Sequence, residues 1–287
     1  MVKQAECGRT IADLTDCASL AKTITPGKKV LPGQDLWPWL SMQMEESSAA
    51  WLRFKPEHTC LAVLNLASFK GLLLFPGFAV ALQAQHIISQ TEFARLRSFS
   101  HGRRRAQWLG GRLATKYALQ HCALPSSEPK NLPAAFSIDN DRHGKPLVKA
   151  SCLTSETHIS ISHSGQFAVA MAASTPCGLD VQEIVVKLQR LQSRFASSVE
   201  LALGSGYDEL SWLAMLWAAK EAVKKCRYAD QATFMERIQV EAHEGCATEP
   251  QGAVLWCRLQ DEDHLVPVRL ALRQGYVMAI SAGARHA

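Results

Sequence analysis

The amino-acid sequence predicts an α+β fold, and three patterns indicate it. Residues 177–183, Cys-Gly-Leu-Asp-Val-Gln-Glu, alternate apolar and polar side chains, as a strand with one buried face does. Residues 210–217 are apolar on almost every side of a helix, which predicts a helix buried within the protein. Alternating segments nearer the C-terminus predict three or four antiparallel strands, at residues 238–241, 253–256, 266–270 and 276–280.

The predicted strand and the end of the predicted buried helix each carry a carboxylate. Asp180 and Gln182 point to the same side of the strand, and Glu183 points to the other. Glu221 continues the inward-facing row of the helix, where a carboxylate is costly unless it is paired or bound to a metal ion. With Lys225 one turn further on, these acids are a candidate site for a divalent cation and a phosphorylated ligand.

The same residues have a second interpretation that involves no ligand. Glu221 and Lys225 stand at positions i and i+4, the spacing of an ordinary helix-stabilising ion pair. Asp180 could simply begin a turn, as aspartate often does. The spacing by itself leaves both interpretations open.

Length and composition set the outer bounds. The 287 residues can bury a substantial core, as one large domain or two of modest size. The chain is 47% hydrophobic and 20% charged, as soluble globular proteins are, and its formal net charge of +5 suggests an anionic partner. Its nine cysteines form no CxxC pair, and the N-terminus has no recognisable signal peptide. We therefore expect free thiols in the cytoplasm, with neither a zinc site nor disulfides.

Residues 61–83 are apolar, with Lys70 as the only charge, and are long enough to admit a membrane span. Lys70 and the pair Pro76-Gly77 interrupt the segment, which favours buried strands around a turn. We therefore expect a strand near residues 72–83.

Helical patterns follow at residues 91–96 and at about 103–122. On the longer helix Arg105, Arg112 and Lys116 share one basic face, and such a face is usually solvated.

Two turns are expected before residue 177. Residues 139–146 have strong turn chemistry and predict a tight turn that holds Gly144. Residues 158–173 predict two strands joined by a turn. His163 and Ser164 would lie on this second turn, free to reach a ligand.

Residues 1 to about 60 match no pattern that indicates a role. Their composition is typical of loops, and they contain the cluster Trp37-Pro38-Trp39-Leu40. The segment could pack across the main domain or be partly disordered. The tryptophans favour packing, because they gain most from burial.

The sequence resembles the signature of the 4'-phosphopantetheinyl transferases in two blocks. These are Gly-Leu-Asp at residues 178–180 and Trp-Ala-Ala-Lys-Glu-Ala-Val-Lys-Lys at residues 217–225. Three further blocks follow the family's order, at residues 105–116, 144–146 and 159–164. Together the blocks cover roughly residue 72 to the C-terminus, and the length resembles that of the large monomeric type that activates peptide and polyketide synthetases.

The resemblance implies a particular arrangement of the α+β fold. Family members have two related halves in a pseudo-twofold arrangement, with the active site at their interface. Residues 61–175 would be the first half and residues 176–287 the second, which carries the metal site. Residues 1–60 would be an N-terminal extension of unknown role.

The resemblance also implies the reaction. These enzymes move the 4'-phosphopantetheine arm of coenzyme A onto a serine of an apo carrier protein and release 3',5'-ADP. Magnesium would be held by Asp180 and Glu221, with Gln182 as a third ligand. Glu221 would act as the general base, and Lys220 and Lys225 would offset charge on the departing phosphate.

Further positions that match the family's motifs are implied to bind coenzyme A. They are Arg105, Arg112, Gly144, Lys145, Pro146, Ser162, His163 and Ser164. The implied partner is an acyl or peptidyl carrier protein domain of a fatty-acid, polyketide, polyunsaturated fatty-acid or nonribosomal peptide synthase. The resemblance also implies a monomer, with neither nucleic acid nor a membrane as a partner.

Two other classes of function stay open. The run Arg103-Arg104-Arg105 and the positive net charge would suit a nucleic-acid-binding module, which predicts salt-sensitive binding without metal dependence. A catalytically inactive relative that binds coenzyme A or a carrier protein is suggested by Gln182, because many relatives have an acid at this position.

Replacing Gln182 tests its predicted place at the metal. A glutamine can coordinate through its carbonyl oxygen or hold a metal-bound water, but it contributes no negative charge. We therefore expect weaker magnesium binding than in a site with three acids. Gln182→Glu should then lower the magnesium concentration needed for activity, which a magnesium titration measures. Glu183→Gln, on the other strand face, is the control. An unchanged magnesium requirement in Gln182→Glu would contradict the assignment.

Overall fold

The computed structural model combines helices with antiparallel sheets, as the sequence predicts. It describes residues 36–49, 51, 55, 59–69, 76–122, 133–150, 156–228, 235–249 and 252–282. Within these ranges the α-helices are α1 (Leu36–Ser48), α2 (Pro76–Ala84), α3 (Gln90–Arg97), α4 (Gly102–Cys122), α5 (Lys187–Leu191), α6 (Ser198–Leu203) and α7 (Glu209–Arg227). The strands are β1 (Thr59–Asn65), β2 (Ser137–Asn140), β3 (Pro146–Lys149), β4 (His158–Ser164), β5 (Phe167–Ala173), β6 (Cys177–Glu183), β7 (Ile238–Gly245), β8 (Ala253–Leu259), β9 (Leu265–Arg273) and β10 (Tyr276–Ala282).

The strands form three antiparallel sheets. The first larger sheet has the order β1-β5-β4, and the second has the order β6-β10-β9-β8-β7. β2 and β3 form a separate hairpin. β1 and β6 are thus both terminal strands of their sheets, and each leaves one edge without a neighbouring strand.

One long helix packs against each of the larger sheets. α4 covers β1, β5 and β4, whereas α7 covers β6, β10 and β9. A third apolar core lies between the sheets, with Val63 and Val169 from the first sheet and Leu179 and Met278 from the second. The two sheets are therefore held together by buried apolar surface as well as by the chain.

α1 belongs to the core of the first sheet. Trp37, Leu40 and Met44 are buried in one cluster with side chains of β1 and α4, so the tryptophan cluster packs as expected. The boundary expected at residue 60 falls inside β1, which begins at Thr59.

The apolar segment after β1 is helical where a strand was predicted near residues 72–83. Pro76 begins α2, a position where its missing N–H group is not needed, so the proline starts a helix instead of a turn. Residues 70–75 lie outside the described residues. No helix in the described part of the chain is long and apolar enough to cross a membrane.

Most other predicted elements are present. α3, α4 and α7 lie within a few residues of their predicted positions, and the C-terminal segments form the four strands β7 to β10. His163 and Ser164 are the last residues of β4, so the turn predicted to hold them is Gly165-Gln166 instead.

Gly178 lets α7 approach β6 closely. A Cβ atom there would overlap the carbonyl oxygen of Ala222 and lie 2.8 Å from the amide nitrogen of Cys226. Both obstacles are helix backbone, which cannot move aside as a flexible side chain can.

Gly178→Ala should therefore destabilise the protein by about 1–3 kcal/mol, the usual cost of overpacking a core. Urea unfolding measures the change. Gly206→Ala is the matched control, because nothing lies within 4 Å of the Cβ position there. Equal stability of the two variants would show that α7 can move away from β6 at little cost.

Candidate functional site at the junction of the two sheets

The free edge of β6 is held by a row of serines on β4. Every second residue from Ser160 to Ser164 is a serine, so the three side chains share one face of β4. Each hydroxyl accepts a hydrogen bond from a backbone N–H group that β6 would otherwise leave unpaired. The bonds join Leu179 N to Ser160 Oγ at 2.9 Å, Val181 N to Ser162 Oγ at 3.3 Å and Glu183 N to Ser164 Oγ at 3.0 Å.

This serine row also positions Asp180. Ser162 Oγ donates a hydrogen bond to Asp180 Oδ1 at 2.7 Å, and Lys225 Nζ lies 2.7 Å from the same oxygen. Lys225 Nζ also donates to the carbonyl oxygen of Leu179 at 2.9 Å. Asp180 is 6% exposed, and its charge is balanced by an ammonium group delivered by α7.

Glu221 lies one turn before Lys225, on the same face of α7. Its side chain is 20% exposed instead of enclosed in the core, and its carboxylate lies 3.5 Å from Lys224 Nζ. The ordinary pair between Glu221 and Lys225 that the spacing allowed is thus replaced, because Lys225 reaches across to Asp180.

The residues predicted to hold magnesium carry oxygen atoms, the donors that a hard cation prefers. Asp180, Glu221 and Gln182 offer oxygen atoms, and an ammonium group already contacts Asp180. Gln182 uses its amide nitrogen to bond the carbonyl oxygen of Glu183 at 2.7 Å, which leaves its own oxygen for other partners. Among the described residues no group of three or more His, Cys, Asp or Glu side chains could hold a metal ion. A magnesium ion here would complete its coordination shell with Gln182, water or substrate oxygens.

A cleft of about 550 Å³ adjoins this cluster. Its walls are the turn between β2 and β3, part of β4 and the last turns of α7. The turn contributes Gly144, Lys145 and Pro146, which were predicted to bind the cofactor, and α7 contributes Lys224 and Lys225. Residues more than 75 positions apart in the sequence therefore line one cleft, with three lysines around it.

Arg112 supports the cleft without lining it. Its side chain is buried, packs over the Trp108 ring at 4.9 Å and donates to Asn140 Oδ1. Asn140 Nδ2 in turn donates to the carbonyl oxygen of Gly144 at 2.7 Å. Gly144 has a φ of 89°, a conformation that glycine adopts readily. Arg112 was predicted to bind coenzyme A directly, but burial leaves its guanidinium to hold the turn.

Arg105 also differs from its prediction. Its guanidinium donates to the carbonyl oxygen of Phe99 at 2.9 Å, and it does not line the cleft. The neighbouring Arg104 is exposed, and its positive charge makes a small contribution to lowering the pKa of His163.

Lys220 is not available for the predicted role at a phosphate. It is 2% exposed, lies 2.7 Å from Glu200 Oε1 and donates to the carbonyl oxygen of Phe195 at 2.6 Å. Lys116 is likewise buried, 2.9 Å from Glu92 Oε2, so the basic face predicted on α4 is not a solvated one. A buried lysine needs such a partner, because an unpaired charge is very costly there.

Comparison with known proteins places the chain in a family. A family model described as the 4'-phosphopantetheinyl transferase superfamily matches residues 176–281. The holo-[acyl-carrier-protein] synthase of Staphylococcus carnosus (strain TM300) is 32% identical over 87 residues, which are 30% of this chain and 72% of that protein. The chain belongs to the 4'-phosphopantetheinyl transferase superfamily. Within the superfamily match lie Asp180, Glu221 and Lys225, whereas the turn at Gly144 lies outside it.

The chain is also similar to proteins with lower sequence identity. The 4'-phosphopantetheinyl transferase of Bacillus subtilis is 29% identical over 96 residues, 32% of this chain and 42% of that protein. A Bacillus anthracis str. Ames holo-(acyl-carrier-protein) synthase, solved with CoA (3',5'-ADP), is 23% identical with a TM-score of 0.34 over 40% of this chain and 91% of that one. The Helicobacter pylori holo-[acyl-carrier-protein] synthase, solved with coenzyme A, is 19% identical with a TM-score of 0.33. The match covers 40% of this chain and 97% of that one.

The surroundings of His163 predict a pH dependence of stability. Although the ring keeps exposed surface, nearby protein desolvates it and lowers its pKa, and the Lys225 ammonium lowers the pKa further. As pH falls below 6.5, the ordinary value, the unfolded chain takes up the proton before the folded protein does. Stability should therefore decline as pH falls through this range.

His163→Gln should remove that part of the decline. Urea unfolding midpoints between neutral and mildly acidic pH measure it, with His101→Gln, at an exposed histidine, as the control. Parallel curves for wild type and His163→Gln would contradict the lowered pKa.

Proposed function

We propose that this protein transfers the 4'-phosphopantetheine arm of coenzyme A to a serine of an apo carrier protein and releases 3',5'-ADP. The observation that carries the proposal is the position of Asp180. Its carboxylate is fixed between Ser162 and Lys225, and Lys225 in turn lines a cleft with two further lysines, in a chain that belongs to the superfamily. The alternative of a nucleic-acid-binding module gains no support from this arrangement.

Coenzyme A is the proposed occupant of the cleft. Its phosphates would meet Lys145, Lys224 and Lys225, which contribute positive charge from both sides of the cleft. The exposed backbone of the turn at Gly144, held by Asn140, would face the adenine end. A volume of about 550 Å³ is within the range of small-molecule sites.

Magnesium is the proposed metal, with Asp180, Glu221 and the side-chain oxygen of Gln182 as its protein ligands. When bound, it would neutralise charge on the pyrophosphate and orient it for attack. Lys225 now stands as the cation beside Asp180. If Asp180 binds a metal ion, Lys225 Nζ is free to contact the departing phosphate.

Glu221 is the proposed general base. A serine hydroxyl is a weak nucleophile at neutral pH, so a carboxylate oxygen of Glu221 would accept its proton as it attacks the β-phosphorus. The partial exposure of Glu221 suits this role, because the carrier serine must reach it from solvent. Lys220 has no part in the proposed step, since Glu200 and Phe195 already bind it.

We also propose that residues 61–175 and 176–287 are related halves in a pseudo-twofold arrangement, with residues 1–60 as an extension. Two matched ion pairs support the relation. In each half a Ser-x-x-Glu capping box begins a short helix, and its buried glutamate binds a lysine on the long helix and a backbone N–H of a strand. The sets are Ser89, Glu92, Lys116 and Ile138 N, and Ser197, Glu200, Lys220 and Val240 N.

Intact-mass spectrometry of apo carrier proteins incubated with the enzyme, coenzyme A and magnesium tests the reaction. Wild type should add one phosphopantetheine to its carrier. Glu221→Ala should slow the addition by roughly 100-fold or more, the usual effect of losing a general base. Glu244→Ala, at an exposed glutamate on β7, is the control.

Carrier proteins from fatty-acid, polyketide, polyunsaturated fatty-acid and nonribosomal peptide synthases should be compared. The carrier modified fastest identifies the pathway served. Coenzyme A binding without a mass gain on any carrier would favour the inactive relative, for which Gln182 in place of an acid is the supporting observation.

A further inference from the structure

β1 occupies in the first sheet the place that β6 occupies in the second. Each is a terminal strand, antiparallel to the last strand of its half. The last residue of β1, Asn65, pairs with Phe167, the first residue of β5. The last residue of β6, Glu183, pairs with Tyr276, the first residue of β10. Val63 on β1 therefore corresponds to Val181 on β6.

The free edges of both strands are covered in a similar way by different elements. On β6, Val181 N donates to Ser162 of the serine row, at 3.3 Å. On β1, Val63 N donates at 2.9 Å to Ser48 Oγ, at the last residue of α1. On β6 this contact comes from β4 of the first half. On β1 the equivalent contact comes from α1.

The part of β1 that α1 covers lacks the polar side chains of its counterpart on β6. The residues of β1 that correspond to Asp180 and Gln182 are Ala62 and Leu64, by the strand register above. Ala62 and Leu64 lie in one buried cluster with the apolar side chains of α1. β1 itself carries no carboxylate, and the buried apolar side chains of α1 pack in one cluster with Ala62 and Leu64.

The long helices α4 and α7 can be aligned through Lys116 and Lys220, which form matching buried ion pairs. By that correspondence Gln120 on α4 stands where Lys224 stands on α7. Lys224 lines the cleft, whereas Gln120 Oε1 accepts a hydrogen bond from Trp37 Nε1 of α1 at 2.9 Å. On the first half, α1 therefore occupies the position that corresponds to the cleft beside α7 on the second half.

We propose that α1 takes the place of a binding partner at the edge of β1. It thereby prevents a second copy of this chain from docking on the first half. The proposal rests on the relation between the halves proposed above. Without α1, β1 would present unpaired backbone groups beside the apolar pair Ala62 and Leu64. Two such edges from two copies can pair about a twofold axis, which yields a closed dimer.

The test uses the full chain with Trp37→Glu and Leu40→Glu together, which place charges on the buried side of α1. Light scattering over a concentration series should show a monomer for wild type and a growing dimer fraction for the double variant. Gln43→Glu with Ser47→Glu adds the same charges at less buried positions of α1 and should stay monomeric.

Hydrogen exchange shows whether α1 has left its place. Faster exchange in α1 and β1 together with a persistent monomer would overturn the proposal. Unchanged protection of α1 would overturn it too, because the helix would not depend on Trp37 and Leu40. Neither readout uses transfer activity, so failure of this proposal and failure of the transferase proposal remain distinguishable.

If the double variant does not fold, Ser48→Ala provides a second test of the proposal. This change removes the hydroxyl that accepts from Val63 N and leaves the apolar contacts of α1 in place. The amide of Val63 should then exchange more than threefold faster than in wild type. An unchanged exchange rate at Val63 would show that α1 does not cap the edge of β1.

Discussion

The hydrogen bonds that the serine row of β4 accepts from the backbone of β6 are the interaction on which the candidate site depends. β6 ends its sheet, so its outer N–H groups need partners, and three hydroxyls from the other sheet supply them. This sets β4 beside β6 and places Ser162 against Asp180. The cleft is formed by the same approach, because β4 is one wall and α7, which covers β6, is another.

The lysines of α4 and α7 differ in whether they are enclosed in a buried ion pair. Lys116 and Lys220 are almost fully enclosed with Glu92 and Glu200, and each anchors a long helix to a short one. Removing one partner from such a pair would leave an uncompensated buried charge, so these lysines are committed to structure. Lys224 and Lys225, about one turn further along α7 than Lys220, line the cleft and are more exposed, and Lys225 pairs with Asp180.

Errors and successes of sequence reasoning have different physical causes. β6, α4 and α7 were predicted because their apolar periodicity is long and agrees with their burial. α2 was mistaken for a strand because a short apolar run has no decisive period and Pro76 suits a helix start as well as a turn. Arg105, Arg112 and Lys220 were placed by motif, which does not report what else a side chain touches.

The sequence by itself determined the α+β class, the strand with Asp180, the helix with Glu221 and Lys225, and the membership that these blocks imply, because periodicity and motif spacing are local properties. Only the tertiary structure shows which charged side chains form ion pairs with each other. Lys225 binds Asp180 instead of Glu221, Lys220 is enclosed, and α1 covers β1. Such pairings join residues far apart in the chain, and they depend on how closely two sheets and two helices pack.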